Sequence, residues 1–238
     1  MEKDLVQKHK QDIELTKAAF AYSQKEYGYD EIMKIISSEE EIEKQICIIN
    51  LNYLASKQDG DALVSNLTGH PTPVREVTSF KILELLNQGK YADYFQDEKT
   101  LNLFLDAVID INPSVSRNVV DILRYVDNKK YCLSALKPRI IKLIEEIKEV
   151  PKNKSYIANK KNFSLYWYLE AVYVLFEEQH FDDDYIEILD ICSRSDQYTI
   201  REKCAKIVSK FKNRSELKDI LQRLQYDENF YVLNRLNG

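Results

Sequence analysis

The sequence predicts an all-α protein whose helices pair and stack into a short solenoid, and three observations predict it. Glycine is scarce, at 5 residues in 238, where average usage would give roughly 17. Tight β-hairpins need glycine for their positive-φ positions, so a many-stranded fold is excluded early. Apolar residues recur at spacings of three and four almost throughout, the period of an amphipathic helix. Finally, one largely apolar stripe with offsets 0, 4, 8 and 11 occurs three times along the chain.

Taken in order, residues 3–26 read as a long polar-rich helix stopped at Gly28. Asp30 is placed to cap a short helix through Ile36. Ser38 is placed to cap the next helix, whose first turn carries Glu39, Glu40 and Glu41, where negative charge suits the helix dipole. On that helix Ile42, Ile46, Ile49 and Tyr53 form the expected buried face. A shorter helix over 60–68 stops at Gly69. After His70-Pro71-Thr72-Pro73 a helix opens with Val74, Thr78, Ile82 and Leu85 on one face. Asn112-Pro113-Ser114 precedes the same stripe at Val115, Val119, Leu123 and Val126, and a third copy runs Ile200, Cys204, Val208 and Phe211. Each is followed by a partner helix: 98–110, 131–149 and 214–225. Between the second and third copies lie an aromatic helix, 163–178, and another near 183–192. The stripes start 41 and then 85 residues apart, close to one and two units of 42.

A period near 40 with two helices per unit resembles the HEAT-repeat superfamily. Pro73-Val74-Arg75-Glu76 and Thr199-Ile200-Arg201-Glu202 look like its Val-Arg-Glu element, whereas Val115-Ser116-Arg117 departs by one residue. The resemblance implies a right-handed α-solenoid of about five helix pairs. Residues 1–37 would supply N-terminal capping helices, packed as one unit with a repeat domain over 38–238. It speaks to architecture rather than activity.

No apolar run reaches the roughly 20 residues that span a bilayer. Met1-Glu2-Lys3-Asp4 leads into charge rather than an apolar leader, so no membrane association is expected. Cys47, Cys132, Cys192 and Cys204 have neither Cys-x-x-Cys spacing nor nearby histidines. They read as buried, reduced core thiols of a cytoplasmic protein.

Two features stand out as candidate binding residues. From Lys129 to Lys161 there are ten basic against three acidic residues, in a chain whose net charge is −5. The segment includes Lys152, Lys154, Lys160 and Lys161 in a lysine-rich loop over 151–161. It runs directly into Tyr166, Trp167 and Tyr168. Three consecutive aromatics cannot all face one core, so at least one is expected at the surface, with Trp167 as the anchor of a partner. The acidic run Asp182-Asp183-Asp184 reads as helix-start charge. His9, His70 and His180 have no nucleophile or carboxylate at a catalytic spacing, no glycine-rich phosphate loop is present, and no cofactor is expected.

The expected role is therefore a non-enzymatic protein-binding scaffold or adaptor, with an immunity-type inhibitor as one variant. The alternative is nucleic-acid binding, up to a HEAT-like DNA glycosylase, through the basic segment 129–161.

Overall fold

The computed structural model describes the backbone of residues 2–38 and 40–237, and side chains between residues 13 and 236 except 39 and 152. Among the described residues there is no strand; thirteen α-helices follow one another. They are α1 (Glu2–Ser23), α2 (Tyr29–Ile36), α3 (Glu41–Asn50), α4 (Lys57–Val64), α5 (Thr72–Asn87), α6 (Glu98–Ala107), α7 (Pro113–Ile122), α8 (Lys129–Lys148), α9 (Ser155–Leu175), α10 (Asp183–Ser193), α11 (Tyr198–Ser209), α12 (Lys218–Gln225) and α13 (Phe230–Asn237). None among the described residues is long and apolar enough to cross a membrane. The chain divides into two compact units, Met1–Leu103 and Phe104–Gly238, with the boundary inside α6.

In the first unit α3 packs on α1 and α5, while α2 lies on α3 and α4. In the second, α9 packs between α7 and α11, and α11 on α13; α10 lies against α8 and α12. Alternate helices thus share a layer within each unit. The three repeated stripes supply the core as expected: all twelve residues, from Val74 to Phe211, are buried. Burying each such aliphatic side chain stabilises by roughly 1.5–3 kcal/mol. In the second unit Phe176 is the hub of an aromatic cluster, with Phe181, Tyr185 and Phe211 edge-on at 4.6, 4.8 and 5.9 Å. Tyr185 donates from its hydroxyl to the Leu133 carbonyl at 2.7 Å, tying α10 to α8.

The residue after the first stripe position recurs as a latch. Arg75 donates to the His70 carbonyl. Ser116 Oγ donates to the Asp110 carbonyl at 3.0 Å, and Arg201 to the Ser195 carbonyl at 2.7 Å. Each pins the loop that precedes its helix, so Ser116 fills by hydroxyl the place the other two fill by guanidinium. Arg201 also forms a two-pronged pair with Asp227, at 2.6 and 3.1 Å. Asp227 in turn accepts from the Asn229 amide at the start of α13.

Several local expectations are corrected. On α3 the buried face is Lys44, Cys47, Ile48 and then Leu51; Ile49 and Tyr53 stand 54% and 49% exposed. The predicted stripe follows isoleucines around the helix, but Lys44 is carried inside because Asn66 Oδ1 accepts from its ammonium at 2.9 Å. Ser38 does not cap α3: the cap position is Glu40, without a side-chain bond, and Glu39 lies outside the described residues. Gly28 is the entry to α2, which places Asp30 in its first turn. α4 starts earlier than expected because Ser56 and Asp59 close a capping box. The positive φ of +74° at Gly69 bears out that stop. The lysine-rich loop at 151–161 is mostly helix: after Pro151 and a short 3-10 turn, α9 begins at Ser155.

Candidate functional site

α9 and α11 pack side by side, and each turns a polar face to the crevice between them. On α9, Asn159, Asn162, Phe163, Tyr166, Glu170 and Tyr173 follow the helical spacing that lines one face. Leu165, Leu169, Val172 and Leu175 on the other side are buried core. Facing them on α11 are Thr199, Lys203 and Lys206, with Lys210 just beyond its end.

At the N-terminal end of α9 the crevice opens into a cavity of about 520 Å³ lined by Asn159, Asn162, Phe163, Tyr166, Trp167, Gln197 and Thr199. A neighbouring cavity of about 590 Å³ shares Asn162 and Gln197 and adds an aliphatic floor of Ile144, Leu165 and Ile200. Its rim carries Lys148, Arg194 and Asp196. Together they make a groove of side-chain amides over an apolar floor. Trp167 is wedged edge-on against Phe163 and Tyr166, at 6.2 and 5.3 Å between ring centroids. Its indole Nε1 is buried and has no hydrogen-bond partner among the described residues. A buried donor without a partner costs about 1–3 kcal/mol.

Further along the seam between α9 and α11 lies a ladder of cations. Lys203 Nζ sits 4.4 Å over the Tyr166 ring, and Lys206 and Lys210 sit 4.1 and 4.6 Å over that of Tyr173. Glu170 pairs with both Lys203, at 2.7 Å, and Lys206. Burial works against the Glu170 charge, but the two ammonium groups hold its carboxyl below the usual range. Burial also opposes the charge on Lys203, where the bond to Glu170 prevails and raises the pKa. For Lys206 burial prevails and the pKa is lowered. Lys210 is lowered too, by burial first and then by Lys129. It donates to the Tyr173 and Phe176 carbonyls at the end of α9, at 2.9 and 3.3 Å.

The predicted site residues are placed unequally. Tyr166 is half-buried and lines the groove. Trp167 and Tyr168 are only 8% and 6% exposed, so Trp167 is a floor rather than the protruding anchor expected. Burial pushes the Tyr168 hydroxyl up, with Arg139 opposing. Lys154 and Lys160 are exposed, Lys161 is half-buried and paired with Glu146, and the Lys152 side chain lies outside the described residues. The surplus of positive charge over 129–161 is largely answered from elsewhere in the second unit. Lys129 pairs with Glu177, Lys137 with Asp182 and Asp184, and Arg139 with Asp106 at 3.0 Å.

Sequence reasoning missed Asn159, Asn162, Gln197, Lys203, Lys206 and Lys210. Their signal was periodic: tyrosines seven apart around Glu170 on one helix, and lysines at 203, 206 and 210 on another. Elsewhere, His180 Nδ1 accepts from the Glu177 amide at 3.1 Å, a turn contact. Among the described residues no group of three His, Cys, Asp or Glu side chains converges as a metal cage.

No family model matches this chain, and no curated protein does. Among solved structures it is similar to an engineered protein from the Northeast Structural Genomics Consortium, at 13% identity over 87% of this chain and 92% of that one, with a TM-score of 0.47. A likeness of that size carries no statement about fold family or role.

Proposed function

We propose that this chain is a non-enzymatic binding module, a HEAT-like α-solenoid that holds an extended segment of another protein in the α9 groove. The alternate-helix layers within each unit support the solenoid reading, as do the loop latches of Arg75, Ser116 and Arg201. Four buried free thiols suit a reducing compartment such as the cytoplasm.

The observation that carries the binding role is the groove floor: a buried, unpartnered Trp167 N–H among the carboxamides of Asn159, Asn162 and Gln197. Carboxamides both donate and accept, which matches the alternating N–H and C=O of an extended backbone. Nucleic acid is less favoured, because at least five basic side chains of the 129–161 segment are held in ion pairs.

An array of immobilised 12-residue peptides tests the reading. The protein should be retained on a subset of spots, and Asn162→Ala with Tyr166→Ala should abolish retention while helix content stays unchanged. Retention that survives both substitutions would refute the groove.

A further inference from the structure

Resting on the groove reading above, we propose that the bound segment is acidic, with its carboxylates seated on Lys206 and Lys210 about three residues from the position that fills the Trp167 cavity.

The argument starts from an imbalance of charge. Lys203 is 5% exposed and Glu170 and Lys206 are 13% and 19% exposed by side chain, so two ammonium groups share one carboxylate away from bulk water. Lys210 adds a third cation over the same Tyr173 ring that receives Lys206. The acids nearest this end are already engaged: Glu177 with Lys129, and Glu202 with Arg235 at 2.8 Å. A tyrosine face offsets part of a cation's desolvation, but it carries no net charge. The crevice therefore keeps a positive excess, and a carboxylate from outside would meet cations that are already partly desolvated and fixed in place. Such charge-assisted bonds are about twice as strong as neutral ones.

Geometry sets the spacing. Trp167 and Tyr173 are six residues apart on α9, about 9 Å at the helical rise of about 1.5 Å per residue. An extended peptide covers that in about three residues at roughly 3.3 Å each. The amide-lined cavity and the cations thus follow one another along the seam between α9 and α11, joined at Tyr166, which lines the cavity and carries Lys203 on its ring.

The test is fluorescence anisotropy with three fluorescein-labelled probes: a 12-residue peptide alternating Glu with Leu and Asn, the same peptide with Gln for Glu, and a 12-nucleotide oligothymidylate. The acidic peptide should bind roughly tenfold or more tightly than the Gln peptide, and the preference should shrink as salt rises. Lys206→Met with Lys210→Met should erase that preference, so that the acidic and Gln peptides bind alike. Lys206→Arg with Lys210→Arg should keep it, which separates loss of charge from loss of packing. Asn162→Ala with Tyr166→Ala should weaken both peptides. If that pair of substitutions weakens binding but the methionine pair does not, the acidic assignment falls and the groove stands. If neither pair matters, the groove falls as well. Equal or tighter binding of the oligothymidylate, or no binding of the acidic peptide at millimolar concentration, overturns the proposal.

Discussion

Helices α5 and α11 open on the same template, with a latch arginine one residue after the first buried position and an identical spacing of core residues behind it. They diverge in the residues set between those stripe positions. On α5, Phe80 stands 59% exposed and the buried Lys81 is matched one-to-one by Glu84 at 2.7 Å. On α11, Lys203 and Lys206 outnumber the single Glu170 that serves them, with Lys210 just beyond. The stripe accounts for the fold in both units. The unbalanced flank occurs in one, and a surplus of buried charge is a poor way to add stability. The comparison therefore separates residues that hold helices together from residues that await something else.

The largest effects should fall on the shared template and be equal in the two helices. Ile82→Ala in α5 and Ile200→Ala in α11 each remove a fully buried side chain of the stripe and should cost about 2–5 kcal/mol in denaturant unfolding. A cost below about 0.5 kcal/mol at either position would break the equivalence.

The arginines should differ next. Arg201→Ala loses the Ser195 latch and strands Asp227, whose side chain is only 6% exposed. It should cost about 1.5–3 kcal/mol. Arg75→Ala loses bonds to the His70 carbonyl and the Thr72 hydroxyl and should cost about 0.5–1.5 kcal/mol in the same assay. A reversed order would assign the latch, rather than the carboxylate pair, the greater part of the stabilisation.

Acid should sharpen the contrast by a smaller amount. In the first unit Asp97 is held down to about 2, its burial outweighed by bonds from Lys57 and the Thr100 amide. In the second, Glu170, Asp182, Asp190 and Asp227 are all lowered by their cationic or amide partners. A carboxylate lowered on folding contributes stability that is present above its unfolded pKa and lost as pH falls through the folded one. Below about pH 4 the second unit should therefore lose stability more steeply. Trp167 lies in that unit and is the one tryptophan of the chain, so its fluorescence should change at higher pH than the remaining helix signal in circular dichroism. Coincident transitions would mean that the two units titrate as one.

The fold was legible wherever buried residues were themselves apolar. The three stripes and their spacing follow directly from period, and the Asp182 cap of α10 from residue type. α3 was misread because its core includes Lys44, which no hydropathy pattern places inside; only the partner at Asn66 explains it. The site was harder to see. Charge was summed along residues 129–161, while the acids that answer it, Asp106, Glu177, Asp182 and Asp184, lie outside that window. The three consecutive aromatics correctly required one at the surface, but that residue is Tyr166 rather than Trp167. Ser116 shows a third limit: it does an arginine's work on its loop, and a motif match reads only the missing guanidinium.

The four buried thiols have a consequence in time rather than in energy. Cys47 lies on α3, Cys132 on α8, Cys192 on α10 and Cys204 on α11. Burial pushes the Cys47 and Cys132 thiols up to about 11 and Cys192 to about 12, so in the closed structure none offers much thiolate. A maleimide can react only when the surrounding helices part, so each cysteine acts as a local clock whose labelling rate counts openings. With one clock in the first unit and three in the second, the native chain already carries the markers needed to order its own unfolding, helix by helix, without an added probe.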